Sequence, residues 1–324
     1  MSNLVSYITL VLSIGMPLII TALGGLFSER SGVTNIALEG IMIIGAFIGI
    51  LFMNNIGPKI GSSIILFILT TIIVAFFGIL ISMLHAIPAV KMNADQVISA
   101  TAINTLSPAL VLFLTMSLTL GESEGSDKLP VNGEIFSFTE IPLLSKIPFI
   151  GDIFFKNIGA SFYIALIIII LSVIVLYKTK FGLRLRACGE NPHAADSAGI
   201  NIYKMRFIGV GISGALAALG GFYLVISYIT EFGGYVYGYG FLAIAVLIFG
   251  NWQPLRVTFG ALFFAALITL SRGIAFFPKL EALNINKNIL DMIPYIVTIL
   301  VLVLSSKNNR APKAVGEVYD VGQR

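Results

Sequence analysis

The chain has 324 residues, 57% apolar and 11% charged, with a mean hydropathy of +0.97. A soluble domain carries about a quarter charged residues, and several runs here reach the ~20 apolar residues that cross a bilayer, so a soluble fold is excluded. The formal charge of +4 gathers in a few polar loops and marks topology, not a nucleic-acid surface. The alternating decads of an outer-membrane barrel are absent. The expectation is an all-α, polytopic helical membrane protein of about eight to ten membrane segments, forming one domain over residues 1–306 with a polar tail, 307–324. One cysteine, Cys188, rules out an internal disulfide, and the two histidines, His85 and His193, do not make a metal-ligand cluster. The start, MSNLVSYITL, lacks a basic region and a cleavage site, so it reads as a retained first span.

In chain order, Leu4–Leu23 is a first apolar segment with Pro17 as its expected kink. Glu29 and Arg30 then break the apolar run within Gly25–Gly49, with a loop there and a local pairing of Glu39 as the simpler reading. Asn35 and Glu39 follow at the i, i+4 spacing of one helix face. Charges at membrane depth are expensive and face a cavity or a partner. Arg30 aside, only Lys59 and Lys91 offer basic marks before residue 121, so the topology of this part is left open and the first two segments need not be simple crossings. Ile64–Leu84 is the next span and leads into His85–Leu106, where Asp95, Gln96 and Asn104 interrupt an apolar pattern. Such side chains either line a passage through interrupted helices or pin helices together; for Asn104 the two readings weigh equally.

Residues 121–156 form the longest loop, with six acidic residues, three lysines, and Pro130, Pro142 and Pro148. Its acidic balance fits the outer side of the membrane, and apolar residues around Ile135–Phe155 predict partly ordered structure on the surface. The next polar stretch, 178–206, is the opposite in charge. Lys178, Lys180, Arg184, Arg186, Lys204 and Arg206 face only Glu190 and Asp196, which places this loop in the cytoplasm. Within it Asn191 suits a helix cap, Pro192 the first helical position, and Gly199 the end. A helix of about two turns cannot stand alone in water, so it needs something to dock against.

Phe207–Ile229 is a span in which Gly211–Ala215 and Gly214–Ala218 form small-xxx-small pairs that permit close helix approach. Glu231–Pro254 holds only a short apolar part, Phe241–Phe249, so a discontinuous or steeply packed helix is expected there. Val257–Leu270 and Ile289–Leu304 complete the membrane part. Counting alternation from the basic loop puts Arg256 and the C-terminus on its side and Arg272–Asn288 on the other. The tail is polar enough to be solvated.

The basic loop resembles the pattern GLRxRAxGENPxAAxxAGI, through Gly182, Leu183, Arg184, Arg186, Ala187, Gly189, Glu190, Asn191, Pro192, Ala194, Ala195, Ala198, Gly199 and Ile200. That pattern is the coupling-helix segment of the inner-membrane permeases of ABC importers, in the simple-sugar and nucleoside branch. Three further stretches are similar to the same family in the expected order. They are Glu29–Ala46, Ala94–Leu106 (with Ala100 or Thr101 where the family has glycine) and Gly238–Pro254. The resemblance implies that Arg184, Arg186, Gly189, Glu190, Asn191, Pro192, Ala194, Ala195 and Gly199 couple to an ATPase.

No phosphate-cradling GxxxxGK[ST] occurs in the chain. The resemblance thus implies a transport subunit that is not itself an enzyme and binds no cofactor, with ATP and Mg on a partner ABC ATPase. It also implies a second permease subunit in a heterodimer, an extracytoplasmic nucleoside-binding lipoprotein, surrounding membrane lipid, and placement in the inner membrane with the C-terminus cytoplasmic. The expected cargo is a nucleoside, and within that class a purine nucleoside; a simple-sugar permease is the alternative and an ion-coupled secondary transporter a distant third. A nucleoside needs apolar walls and a few placed hydrogen-bonding groups. Asn35, Glu39, Asp95, Gln96, Asn104 and Phe241 are the candidates for its path.

Overall fold

An apolar chain in lipid satisfies its backbone inside helices, and that requirement organises this protein. The computed structural model describes residues 2–60, 62–119, 126–131, 137–140, 145, 147, 150–272, 286–305 and 310–320. Its long helices are α1 (Ser2–Arg30), α2 (Leu38–Ile56), α3 (Ser63–Lys91), α4 (Gln96–Thr119), α6 (Ala160–Lys178), α9 (Ile202–Tyr228), α11 (Pro254–Arg272) and α12 (Lys287–Ser305). Short helices α5 (Ile150–Phe154), α7 (Lys180–Glu190), α8 (Pro192–Ser197) and α10 (Tyr239–Phe249) lie between them. Among the described residues, seven helices are long and apolar enough to cross a bilayer. The short apolar α10 and the 19-residue α12 stand beside those seven, within the range of segments read from the sequence.

The layering follows burial. In their most apolar windows α1 is 89% and α9 78% buried, whereas α3, α4 and α6 are only 22–33% buried. Helices that are apolar all round belong in the interior, so α1 and α9 form the centre. The outer helices show large apolar side chains such as Ile72, Phe76, Phe113 and Ile170 on their exposed faces. Small residues on α9 let its neighbours come to backbone contact. Gly214 and Ala218 face Gly78 of α3, a Cβ on Gly221 would overlap the Met42 carbonyl of α2, and one on Gly220 would overlap Thr21 of α1. The Gly214–Ala218 pair thus packs as its spacing predicts, while Gly211 meets only ordinary contacts with Met83 and Ile79.

Polar segments separate to two ends. At the long-loop end, β1 (Leu129–Pro130) pairs with β4 (Glu231–Phe232), and β2 (Ser137–Glu140) pairs antiparallel with β3 (Lys156–Gly159). Much of residues 121–156 lies outside the described residues; the described part is ordered as strands and α5. At the basic-loop end are α7, α8, the turn after α1, the α10–α11 turn and residues 310–320. Arg30 bonds the Trp252 carbonyl, and Ala314 N donates to Gly189 O. The α10–α11 turn and the C-terminal segment therefore share the basic loop's end, as the alternation requires. Residues 273–285, and with them most of the expected opposite loop, lie outside the described residues.

Two boundaries differ from the sequence reading. α1 runs unbroken through Pro17, Leu23 and Glu29 to Arg30, because these two charges find protein partners and do not need a loop. The break comes later, over Ser31–Ala37. Asn35 precedes α2 in this break, so Asn35 and Glu39 do not share a helix face. The C-terminal segment also departs from expectation. Ala314 and Tyr319 are each 3% exposed, so residues 310–320 are docked through these side chains while others, such as Lys313 and Glu317, stay exposed.

Candidate functional site

Two broken-helix segments meet inside the bundle. The first is Ser31–Ala37. Its Thr34 N donates to Gln96 Oε1 at 2.8 Å, and the Thr34 carbonyl lies 2.9 Å from His85 Nε2. Asn35 Oδ1 accepts from Ala37 N (3.1 Å), and Asn35 Nδ2 donates to Ser213 Oγ of α9 (2.8 Å). Higher on α4, Asn104 Oδ1 accepts from Gly40 N (2.8 Å) while its Nδ2 donates to the Ile36 carbonyl (2.9 Å). Asn104 stands eight residues beyond Gln96, about 12 Å along the helix at 1.5 Å per residue. So α2 begins well inside the bundle, and Asn104 supplies the cap its own Ala37 lacks.

The second break precedes α10. From β4 the chain runs back beside α4, where a Cβ on Gly234 would touch Val111, and then turns at Tyr237 and Gly238, both at positive φ. Helix α10 has 11 residues, about 16 Å against the ~30 Å hydrocarbon core: it is a discontinuous helix, as its short apolar run suggests. Its first amides point at Glu39. Gly238 N donates to Oε1 at 2.8 Å and Gly240 N to Oε2 at 2.6 Å. A carboxylate suits this place, because a helix N-terminus carries unpaired N–H groups and partial positive charge.

Of the six residues read as pathway candidates, Asn35, Glu39, Gln96 and Asn104 hold the backbone of these two breaks. Asp95 instead caps α4 at its exposed start, accepting from Val97 N and Ile98 N. Phe241 is half exposed on α10, and Tyr235 and Tyr237 are exposed just before it. Those two tyrosines and His85 were missed in the sequence, where no spacing marks them. Gln96 Nε2 is buried without a partner.

The basic loop folds as three capped helices in succession. Thr179 Oγ1 accepts from Gly182 N, Asn191 Oδ1 from Ala194 N, and Asn201 Oδ1 from Lys204 N. Pro192 takes the first position of α8, and Gly199 (φ +79°) closes it while Ile200 N bonds back to Ala195 O. Pro192 and Ala195 are buried, whereas His193, Ala194 and Ser197 are exposed, so one face of α8 is free. The sequence reading missed α7, although its buried Gly182, Leu185 and Gly189 recur at helical spacing. Arg184 is exposed; the Arg186 guanidinium lies over the Tyr177 ring at 4.8 Å. Gly189 is seated on the Arg30 carbonyl, and Cys188 beside it is fully buried. Burial pushes that thiol up to about 11, although the Arg206 charge opposes the shift.

The ends of α1 and α10 tie this loop to the interior. Arg30 donates to the Trp252 carbonyl from Nε (3.1 Å) and Nη2 (2.6 Å), and its Nη1 lies 3.6 Å from Glu190. Trp252 in turn donates its indole N–H to the buried Glu29 carboxylate. Contacts therefore run from Glu190 through Arg30 to the turn after α10, and Glu39 holds the other end of that helix. At the long-loop end, a cavity of about 1070 Å³ is lined by Asn54, Asn55, Asp127, Lys128 and Glu231 among others.

Residues 7–302 match the family described as branched-chain amino acid transport system / permease component. The guanosine ABC transporter permease protein NupQ of Bacillus subtilis (strain 168) is 43% identical over 95% of this chain and 94% of its own length. The nucleoside ABC transporter permease protein NupC of Lactococcus lactis subsp. cremoris (strain MG1363) is 40% identical over 94% and 93%. The nucleoside ABC transporter permease protein NupB of the same organism is 26% identical over 79% and 70%. No solved structure matches the chain.

Proposed function

We propose a function from one premise, that the chain belongs to the branched-chain amino acid transport system / permease component family. As such it is a multi-pass membrane permease of an ABC importer for nucleosides, not an enzyme, and ATP is hydrolysed by a partner subunit. Beyond that, the proposed cargo is a purine nucleoside. The observation that carries this reading is the 43% identity to a guanosine permease over 95% of the chain. Exposed Tyr235, Tyr237 and Phe241 beside the α10 break support it, because a flat base stacks on aromatic rings. Glu39 fixes that break in place and Asn104 fixes the one before α2, and their polar edges are the proposed boundary of the path.

The proposed partners are an ABC ATPase, a second and different permease, and an extracytoplasmic nucleoside-binding lipoprotein. The two Lactococcus permeases, at 40% and 26% identity, support a heterodimer in which this chain is the NupC-like member. The proposed membrane is the cytoplasmic one, with α8 and the C-terminal segment on the cytoplasmic side. Closure of the ATPase would push on the free face of α8. The Glu190–Arg30–Trp252 contacts would carry the displacement to α10, and the permease would exchange between outward- and inward-open states with different contacts in each.

The test is reconstitution of this chain with its ATPase, second permease and receptor in vesicles, measuring ATP-dependent uptake of labelled guanosine, uridine and ribose. Guanosine uptake well above uridine, with none for ribose, is expected. Equal guanosine and uridine uptake would overturn the purine assignment, and preferential ribose uptake would replace it with the sugar reading.

A further inference from the structure

Residues 310–320 follow an indirect course over the basic-loop end, and their contacts are spread over several elements. Arg310 N donates to Asn251 Oδ1 in the α10–α11 turn at 2.7 Å. Ala314 N donates to Gly189 O at the end of α7 (2.8 Å), and Gly316 N to Gly32 O after α1 (3.2 Å). The Glu317 carbonyl accepts from Arg206 Nη1 of α9 at 3.0 Å. The Tyr319 ring then sits 5.2 Å from the His193 ring of α8 and 5.7 Å from the Tyr203 ring of α9, with Tyr319 only 3% exposed.

Ordering a chain segment costs about 1–2 kcal/mol per residue in backbone entropy, so a segment without packing partners stays disordered. This one spends its contacts on the pieces that carry α8. A six-residue helix has little stability of its own, and its buried Pro192 and Ala195 face the permease. Tyr319 adds a second support through its ring contact with His193. Lys313, Glu317, Val318 and Asp320 remain exposed on the segment, as do His193, Ala194 and Ser197 on α8, and the Tyr319–His193 ring contact joins the two.

We infer that residues 310–320 form a strap that holds α8 in place, and that strap and α8 together present one docking surface to the ATPase subunit. This rests on the reading of α8 as the ATPase contact. Tyr319 is then a positioning residue for coupling, acting through His193. Arg206 is roofed by the strap at 1% exposure, with Nε and Nη2 lacking partners. Removing the strap returns this guanidinium to water, which offsets part of the lost contact, so strap variants are expected to insert and fold.

The experiment uses the full chain with residues 311–320 replaced by a Gly/Ser sequence of equal length, and separately Tyr319→Ala and Tyr319→Phe. Binding of the purified ATPase subunit and nucleoside transported per ATP hydrolysed are measured on equal amounts of folded permease. Replacement of the strap should weaken ATPase binding tenfold or more and lower the transport ratio. Tyr319→Ala should follow it in part, and Tyr319→Phe, which keeps the ring, should stay within twofold of the parent. A merely structural strap would lower the melting temperature and leave the transport ratio unchanged, which would overturn the inference.

A second arm does not depend on deletion. In a Cys188→Ser background, His193→Cys and Tyr319→Cys are joined by a short bifunctional thiol reagent. Recovery of the transport ratio from the lowered value of the uncrosslinked pair toward that of the parent supports a strap that moves as one body with α8; no recovery, or further loss, on cross-linking overturns it. If the unaltered chain does not bind an ATPase at all, the underlying coupling reading fails, and that outcome is distinct from failure of the strap.

Discussion

Replacing Glu39 tests whether the interior junction is built as the geometry indicates. Glu39 is 8% exposed and accepts both leading amides of α10, from Gly238 and Gly240. Hydrogen bonds to a charged acceptor contribute about 1.5–3 kcal/mol each, and stranded buried donors lose their desolvation energy. Glu39→Ala strands two amides, so a loss of about 3–5 kcal/mol is expected. Glu39→Gln keeps one carbonyl acceptor but turns an NH₂ toward the other amide, and should lose about half as much. Gly240→Ala attacks the same contact from the other side, since its Cβ would overlap the Glu39 backbone. Unfolding in detergent, followed by the fluorescence of Trp252, gives the stabilities, and uptake per assembled complex gives function. Trp252 lies in the turn after α10, so it reports on this helix. An alanine variant within about 0.5 kcal/mol of the parent would refute the claim that Glu39 caps α10.

Four further outcomes follow from the same geometry. Asn104→Ala removes both bonds to the start of α2 and should lose about 1–3 kcal/mol; if substrate preference changes at unchanged stability, Asn104 acts on the cargo and not on the fold. A Gly/Ser sequence in place of Glu190–Ala195 should leave insertion intact and abolish ATPase binding, and normal transport by this variant would remove α8 from the mechanism. A cysteine at Ser126, which lies at the long-loop end, should react in intact cells with an impermeant thiol reagent in a Cys188-free background; labelling only after the membrane is opened would invert the proposed orientation. Burial disfavours the Cys188 thiolate and lifts the group to about 11, so at pH 8 about one thiol in a thousand is ionised. Alkylation in the folded protein should be slow at pH 8 and accelerate as pH approaches 11, and a rate equal to that of free cysteine at pH 8 would contradict the buried placement.

Features set by residues near each other in the chain were legible in the sequence. Composition alone requires a helical membrane protein, because lipid offers the backbone no hydrogen bonds. The α8 signature of Asn191, Pro192 and Gly199 works through contacts three to five residues apart, so its cap and its end were readable. The Gly214–Ala218 packing face was readable for the same reason: helical spacing places both on one side. What the tertiary structure decided is where the polar residues go. Glu29 and Arg30 read as a loop, yet they end an unbroken helix because Trp252, more than 220 positions away, satisfies both of them. Glu39 appeared as a lone intramembrane acid until α10 arrived with two unpaired amides from about 200 positions downstream. The C-terminal segment is polar by composition, but Tyr319 is buried against rings of α8 and α9. The cost of a buried charge or of an ordered tail depends on the partner that packing delivers, and for these residues no local pattern encodes that partner.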